Sequence, residues 1–451
     1  MDSLTTGLAG LGVLVLLIAI RMPIAYAMIL VGGIGTAILN GWPIVLSQLK
    51  DLAYAQFSAY DLSVVPLFVL MGAIASRTGL SADLFRAANA WLGWMRGGVA
   101  MAAIAACAGF GSVCGSSLAT ASTMGRVALP ELKRYRYSNR LATGTIAAGG
   151  VLGILIPPSV VLIIYAIIVE ANVVTMFMAA LLPGLIAVVF FILTILAYTT
   201  FVPGSGPAGE RAPRAEIVAA TLNILPVLIV FVAVIGGLYF GLFNPTPAAA
   251  VGVVMVVLIG LVRRKLTTRE TYEALLETAT TTGMIFLILL GAELLKIFMA
   301  RGGVPQEMAQ IMANSGLGPM TTLVFLLVAL IVLGCLMDSL SMILLAIPFF
   351  WPVLVEMNGG DWVSAADSPF GMTTEELKIW FGILALIVVE LGLITPPVGM
   401  NVFIISAQAG DVPMRDTFLG VLPFFLAELL RVIVLLAAPG IVFLLPRLIG
   451  S

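Results

Sequence analysis

Long apolar segments separated by short polar ones make up most of the chain. Ten of them are long enough, or nearly long enough, to cross a hydrocarbon core about 30 Å thick as α-helices. They cover residues 4–20, 23–39, 64–76, 141–169, 176–200, 217–240, 247–262, 283–299, 377–409 and 418–446. The pattern predicts an all-α polytopic membrane protein with five full spans in each half of the chain.

Two of the spans are interrupted by Pro-Pro pairs. Pro157-Pro158 breaks the segment at 141–169, and Pro396-Pro397 breaks the segment at 377–409. Proline cannot donate to the helix and clashes with the preceding turn, so each segment should form two half-helices joined by unwound backbone. Matching breaks in both halves are typical of a carrier's binding site at the bilayer midplane. Simple helix kinks are the alternative.

An extra apolar segment with small polar residues at its centre lies between the third and fourth spans of each half. One covers about residues 97–129 around 111–117, and the other covers about 321–355 around 334–341. Each arm is short for a crossing, so both segments are predicted to be re-entrant hairpins.

The two halves can be aligned by spacing. Gly111 and Ser116 match Gly334 and Ser339, and the Pro-Pro pairs match once the polar insertion at 356–376 is allowed for. Because five is an odd number of spans, the second half should run through the membrane in the opposite direction. The first repeat is expected at 1–200, with scaffold helices at 4–76, a hairpin at about 97–129 and a broken helix at 141–169. A cytoplasmic linker follows at 201–216. The second repeat is expected at 217–451, with scaffold helices at 217–299, a hairpin at about 321–355, a broken helix at 377–409 and a last span at 418–446.

The distribution of charge predicts the orientation. The loop after the first hairpin, at 131–140, is strongly basic, whereas the loop after the second, at 356–376, carries five acidic residues and no basic one. Lys and Arg accumulate in cytoplasmic loops. The first hairpin should therefore enter from the cytoplasm and the second from outside, with the amino terminus outside, in the periplasm.

Composition narrows the class of function. With 61% hydrophobic and 10% charged residues, the chain has no segment for a water-soluble catalytic domain, so no enzyme activity is expected. Histidine is absent, which removes a common proton-relay and metal-binding side chain. The three cysteines fit neither a zinc site nor a disulfide framework and are expected to pack in apolar segments. No cofactor and no nucleic-acid partner is expected, and the segment at 4–20 is interpreted as a retained span rather than a removed signal.

Two hairpin tips and two helix breaks would bring hydroxyls, free carbonyls and half-helix termini around one cavity. Such oxygens bind hard monovalent cations, and half-helix amino termini bind anions. The predicted cation sites are Ser112, Ser116, Gly153 and Pro157 in the first half, and Asp338, Ser339, Thr395 and Pro396 in the second. The candidate substrate contacts are Ser117, Ser341 and Asn401. Close helix packing is the alternative role for each serine.

Few ionisable residues lie inside the predicted spans. Glu293 with Lys296, and Glu428 with Arg431, are three positions apart and are predicted to form internal ion pairs. Glu390 has no obvious partner, so it could be a proton site, a cation ligand or a structural link between the moving and fixed parts. No arginine is placed clearly in the predicted cavity.

Three amphipathic stretches carry charges at helical spacing. They cover residues 81–95, 267–282 and 306–313. They are predicted to lie along the membrane interface, and ordinary connecting loops are the alternative.

Four motif stretches follow one another along the chain: GSSLATASTMG at 115–125, GGVLGILIPPS at 149–159, DSLSM at 338–342 and ITPPVGMN at 394–401. Together they resemble the DctM-type large membrane subunit of the tripartite ATP-independent periplasmic (TRAP) transporters, and the resemblance extends over residues 4–446. It implies a sodium-driven importer in the bacterial inner membrane with an elevator mechanism. The family's sodium-binding tips and breaks correspond here to Ser112, Ser116, the segment 153–157, Ser339, Thr395 and Pro396.

The resemblance also implies partners. A periplasmic substrate-binding protein (P-type) would deliver a C4-dicarboxylate or related organic acid, and a separate small four-helix membrane subunit (Q-type) would complete the permease in the lipid bilayer. A stand-alone sodium- or proton-coupled anion symporter of related fold is the alternative carrier. A channel or a non-transporting scaffold belongs to a different class, and broken helices in both halves argue against the scaffold.

Overall fold

A computed structural model describes residues 3–20, 22–314, 316 and 318–449, and within them it contains helices and no strand. The helices of the first half are α1 (Ser3–Ala19), α2 (Ile24–Asn40), α3 (Trp42–Ser58), α4 (Val64–Arg77), α5 (Leu80–Leu92), α6 (Gly98–Cys114), α7 (Ser117–Arg134), α8 (Asn139–Leu155), α9 (Val160–Ile168) and α10 (Val173–Phe201). A short 3-10 helix, Tyr60–Ser63, precedes α4. The expected repeat limits at residues 1 and 451 lie outside the described residues.

The second half begins with α11 (Arg214–Phe231), which continues through a π-helical turn, Val232–Gly236, into α12 (Gly237–Tyr239). The remaining helices are α13 (Pro245–Val262), α14 (Thr268–Arg301), α15 (Val304–Asn314), α16 (Pro319–Gly334), α17 (Ser339–Asn358), α18 (Thr374–Gly392), α19 (Met400–Ala409), α20 (Met414–Ala437) and α21 (Gly440–Ile449).

Both predicted helix breaks are present. Helix α8 ends at Leu155 and α9 begins at Val160, with a bend of 47° between them. Helix α18 ends at Gly392 and α19 begins at Met400. The Pro-Pro peptide bond in each break is cis. The proline pairs therefore interrupt their segments as the sequence predicts.

Both predicted hairpins are pairs of helices joined by a short tip. Residues 115–116 separate α6 from α7, and residues 335–338 separate α16 from α17. Helix α17 has 20 residues and is apolar enough to cross a membrane, so the expectation that every hairpin arm is too short is wrong for this arm. The helix runs through Pro348 and Pro352 and ends at Asn358, three residues beyond the predicted hairpin limit at 355.

Helix α14 differs from its prediction because it is continuous. It has 34 residues and joins the amphipathic stretch at 267–282 to the span at 283–299. The Thr267 side chain caps its start by accepting a hydrogen bond from the Glu270 N–H at 3.2 Å. No proline follows until after the helix ends, so nothing separates the interfacial part from the spanning part.

Two further boundaries differ from the prediction. Helix α3 follows Gly41, whose φ of 85° favours glycine, and has a proline in its first turn. The sequence pattern had not indicated it. The expected last span at 418–446 consists of two helices, α20 and α21, because Pro439 lies between them.

The composition of these helices makes the chain a multi-pass membrane protein. Seven described helices are long and apolar enough to cross a bilayer, or eight if the bent pair α8 and α9 forms one span. Other apolar helices are shorter, with 10 to 17 residues, and α1 and α2 have 17 each. The number of ten full spans stays a prediction.

The helices pack in two groups that face each other. Helices α1, α2, α4, α13 and α14 pack together on one side. On the other, the first hairpin packs against α8, the second against α18, and α19 and α20 pack against α8. We call these the α14 group and the hairpin group. The space between them contains the candidate site.

Candidate functional site

The first hairpin tip lies against the first helix break. A Cβ atom at Gly111 would lie 2.5 Å from the Gly153 Cα, and one at Gly153 would lie 2.6 Å from the Ser116 carbonyl oxygen. Gly115 has a φ of 64°, which favours glycine, and it approaches the Pro158 carbonyl. Glycine therefore permits the tip and the break to meet. The first-half candidates Ser116 and Gly153 are neighbours for this reason.

The second tip meets the second broken helix in the corresponding way. A Cβ atom at Gly392 would lie 2.6 Å from the Gly334 Cα. The alignment by spacing matches Gly334 to Gly111 and Gly392 to Gly153, so the same pair of glycines forms the contact in both halves. Thr395 lies one turn beyond this contact, and its hydroxyl donates to the Leu391 carbonyl at 2.6 Å.

A buried carboxylate links the two tips. Glu390 on α18 accepts hydrogen bonds from the Ser117 hydroxyl at the first tip and from the Ser339 hydroxyl at the second, one at each carboxylate oxygen. The corresponding residue of the first half is Val151, so the repeat supplies only one such carboxylate. These contacts join the two hairpin tips to each other rather than the hairpin group to the α14 group, so the three roles that the sequence left open for Glu390 stay predictions.

Each tip also caps the helix that follows it. The Ser116 hydroxyl accepts from the Ala119 N–H at 3.4 Å at the start of α7. The Asp338 carboxylate accepts from the Ser341 N–H at 3.1 Å, and from its hydroxyl, at the start of α17. Two helix amino termini, each with a positive partial charge, therefore lie beside the link through Glu390.

A cavity of about 610 Å³ separates the tips from helices α4 and α14. The tip residues that line it are Ser116, Ser117, Asp338 and Ser339. The charged residues that also line it are Arg77, Arg126, Glu270, Glu273 and Glu277. Its volume lies within the range of about 300 to 1,000 Å³ that is usual for small-molecule sites.

The expectation that no arginine lies in the cavity is wrong, although one of its two arginines is neutralised. Arg77 Nη2 lies 2.7 Å from Glu277 Oε2, and Arg77 Nε lies 3.5 Å from Glu270 Oε2. The third glutamate, Glu273, is paired with Arg269 at 2.8 Å. These five side chains, two arginines and three glutamates, together carry a formal charge of −1.

Arg126 is the cavity's uncompensated cation. It is exposed on α7 and forms no hydrogen bond or ion pair with any residue that the structure describes. The sequence contains a pattern that indicates this position. The residues Ala119, Ser122, Thr123 and Arg126 follow the spacing of one helix face, and all four line the cavity. The site residues predicted from the sequence end at Ser117 on this helix.

The other predicted site residues do not belong to the cavity lining of the described structure. Ser112 is buried and donates to the Gly109 carbonyl at 2.8 Å. Asn401 is buried, and its amide donates to the Ala147 carbonyl at 3.3 Å, which joins the two broken helices. Ser341 is buried beside Asp338. Their predicted roles as ion or substrate ligands stay predictions.

The two breaks differ in exposure. Pro157 and Pro158 are buried, whereas Pro396 and Pro397 are exposed. The first predicted cation site is therefore enclosed by protein, and the second is open on its Pro396 side.

Both predicted internal ion pairs are confirmed. Lys296 Nζ lies 3.7 Å from Glu293 Oε1 on α14. Arg431 pairs with Glu428 on α20, and its guanidinium also donates to the Pro183 carbonyl on α10 at 3.0 Å. The second pair is buried and ties two helices together.

The end of the first hairpin is fastened to the second half outside the apolar region. Lys133 at the end of α7 donates to the Ala409 carbonyl at 3.0 Å and pairs with Asp411. The hydrogen bond from Lys133 lowers the pKa of the Asp411 carboxyl below its usual value. This contact joins the first half of the chain to the second at the membrane surface, and the Glu390 link joins the two halves at the tips.

Known proteins share this sequence and fold. The family model described as "Tripartite ATP-independent periplasmic transporter, DctM component" matches residues 11–441. The C4-dicarboxylate TRAP transporter large permease protein DctM of Pseudomonas aeruginosa is 33% identical over 407 residues, which cover 89% of this chain and 91% of that protein. Its counterpart from Rhodobacter capsulatus is 30% identical and covers 97% of this chain and 98% of that protein.

A solved structure shows a related fold. The YdaH transporter of Alcanivorax borkumensis superposes with a TM-score of 0.64 at 14% identity, covering 89% of each chain. The relatives are named as transporter permease components and not as enzymes. The chain therefore belongs to the DctM component family, the large membrane permeases that serve TRAP-type solute transport together with a periplasmic binding protein and a small membrane subunit.

Proposed function

We propose that this chain imports a small organic acid, a C4-dicarboxylate or related carboxylate, across the bacterial inner membrane by sodium-coupled secondary transport. A periplasmic binding protein delivers the acid, and a small four-helix subunit completes the permease. The observation that carries the proposal is the convergence of both hairpin tips and a broken helix on one cavity through Glu390. The names of the C4-dicarboxylate relatives support the substrate class.

The movement that we propose is an elevator. The hairpin group moves as one body against the α14 group, and the Ser117–Glu390–Ser339 link keeps its two tips together. Arg77 and Glu270, which line the cavity's far side, lie next to the basic segment at 263–269, which the charge distribution places in the cytoplasm. On that orientation the cavity opens inward, the two hairpins enter from opposite sides, and the amino terminus is periplasmic.

Sodium is the coupling ion that the tip chemistry favours. Hydroxyl and carbonyl oxygens at unwound backbone match a hard monovalent cation. We expect Ser116→Ala and Thr395→Val each to raise the sodium concentration for half-maximal uptake about threefold to tenfold, because each removes one oxygen. Ser116→Ala also loses the cap of α7, at a cost to folding of about 1 kcal/mol. The measurement is initial uptake against sodium concentration in proteoliposomes that contain the partner subunits.

Ser138→Ala is the matched control for Ser116→Ala. Ser138 caps α8 by the same kind of contact, accepting from the Leu141 N–H at 3.3 Å, but it lies outside the cavity lining. Its sodium dependence should equal that of the wild type. An unchanged sodium dependence in both Ser116→Ala and Thr395→Val would remove these residues from the site.

Arg126 is the group that we propose to bind the substrate carboxylate. It lies ten residues beyond Ser116, about 15 Å along the helix axis. An arginine side chain in a helix leans toward the amino terminus, which directs this guanidinium back toward the tip. Guanidinium and carboxylate form paired hydrogen bonds of matching geometry, and the positive α7 terminus adds to the attraction for an anion.

Arg126→Gln is expected to raise the KM for the transported carboxylate about tenfold, which corresponds to about 1.4 kcal/mol of lost binding. The measurement is uptake of the acid that the partner binding protein selects in a thermal-shift screen. Arg126→Lys keeps the charge but loses the paired hydrogen-bond geometry, so its KM should lie between those of the wild type and the glutamine variant. Equal KM values in the glutamine variant and the wild type would show that Arg126 does not bind the substrate.

A further inference from the structure

The ion pair between Glu293 and Lys296 faces outward from α14. The two side chains are 33% and 51% exposed. The pair between Glu428 and Arg431 has the same spacing, yet its side chains are only 1% and 0% exposed. One pair is thus enclosed by the protein, whereas the other lies on the outside of an apolar helix.

The outward pair lies near the middle of the membrane. A Cβ atom at Gly32 would lie 2.6 Å from backbone atoms of Leu294 and Leu295, so this part of α14 is level with Gly32. Gly32 is the central residue of the 17-residue helix α2. That helix is about 25 Å long, close to the thickness of the hydrocarbon core. Glu293 and Lys296 are therefore too deep for headgroups to surround them.

The internal pair leaves polar atoms open. Lys296 Nζ and Glu293 Oε1 are 3.7 Å apart, which is an ion pair without close hydrogen-bond geometry. An ammonium group has three donors and a carboxylate has several acceptor sites, so one loose contact satisfies few of them. Ionisable residues at this depth normally face protein or a wet cavity rather than lipid. The pair is expected to contact another chain.

We propose that the outer surface of α14 around Glu293 and Lys296 is the docking surface for a transmembrane helix of the small membrane subunit. The partner helix presents hydrogen-bonding or charged side chains to Glu293 and Lys296 at mid-membrane. This inference rests on the proposed function, because it assigns the surface to the small subunit of the same transporter. Helix α14 belongs to the group across the cavity from the hairpins, so a subunit bound there would brace the side against which the hairpin group moves.

The test is co-purification of the small subunit of the same transporter with the double variant E293L/K296L. Leucine is well solvated by lipid, so the free variant should fold and show a thermal unfolding temperature at or above that of the wild type. Native mass spectrometry should then detect at least tenfold less small subunit on the variant. The matched control is E375L/K378L, which removes an ion pair of the same spacing, with an N–O distance of 2.6 Å, at the start of α18. It should retain the subunit.

Each contrary outcome has its own meaning. Wild-type stoichiometry in E293L/K296L would overturn the docking surface and leave the proposed function intact. A large fall in the unfolding temperature of the free variant would also overturn it, by showing that the pair stabilises this chain itself. Loss of a second copy of this chain, rather than of the small subunit, would make the surface a site of self-association. If the wild type retained no small subunit, the proposed three-part assembly itself would fail.

Discussion

Glu390→Ala is expected to lower the free energy of unfolding by about 2 to 4 kcal/mol and to reduce uptake at least about tenfold. The substitution leaves the hydroxyls of Ser117 and Ser339 without their shared acceptor in a buried setting, and each unsatisfied group costs about 1 to 3 kcal/mol. It also removes the contact that fastens one hairpin tip to the other. The measurements are denaturant unfolding of the purified chain and initial uptake in proteoliposomes.

Glu390→Gln removes the negative charge of this side chain but keeps its ability to form hydrogen bonds with both serines. A glutamine amide can accept from one serine and donate to the other, so it should restore the unfolding free energy to within about 1 kcal/mol of wild type. Recovery of uptake along with stability would show that the link itself is what transport requires. Val151→Ala, at the corresponding position of the first half, is the control, and it should not separate the tips. Wild-type uptake and stability in Glu390→Ala would contradict the linking role.

Arg431→Leu should lower the free energy of unfolding by about 3 to 5 kcal/mol, because it leaves the Glu428 carboxylate buried without a partner. The Pro183 carbonyl on α10 loses its donor in the same step. The double variant E428L/R431L should recover most of the loss, since apolar residues of similar volume often replace a buried ion pair without cost. Denaturant unfolding of the two single variants and the double variant completes the cycle.

A surface ion pair supplies the control for this cycle. Arg447 and Glu376 lie 2.9 Å apart, and their side chains are 67% and 30% exposed. Because solvent screens such a pair, Arg447→Leu should cost less than about 1 kcal/mol. If the losses from Glu428→Leu and Arg431→Leu simply added in the double variant, the two residues would not be energetically coupled.

The breaks and tips were predictable because proline and glycine fix the backbone locally. Pro157 and Pro396 end their helices wherever the rest of the chain lies. Gly111 and Gly334 mark the places where another backbone approaches closely, and both contacts are present. The predicted ion pairs have the same local character, since their partners are three residues apart on one helix.

The link through Glu390 could not be found in this way. Ser117 and Glu390 are 273 positions apart, and Ser339 and Glu390 are 51 apart. Which face of α18 meets the tips depends on how four helices pack, and no local pattern encodes that. Asn401 illustrates the converse, because the sequence suggested a substrate contact and the structure shows an amide that joins two broken helices.

The two arginines of the cavity differ in how far the sequence could have predicted their roles. The Arg77 side chain is paired with glutamates that lie about 200 positions away on α14, so its neutralisation is a property of the packed structure. The sequence could have predicted Arg126 as a lining residue, because it continues the helix face that begins at the first tip. Extending the 3.6-residue period beyond the motif at 115–125 would have predicted this residue.

Uptake of the delivered carboxylate into proteoliposomes, with the binding protein outside and the small subunit present, tests the central claim most directly. An inward sodium gradient should drive accumulation, and a proton gradient imposed without sodium should not. Accumulation that is unchanged without sodium and collapses with the proton gradient would contradict sodium coupling at the tips and breaks, and accumulation by this chain alone would contradict the three-part assembly.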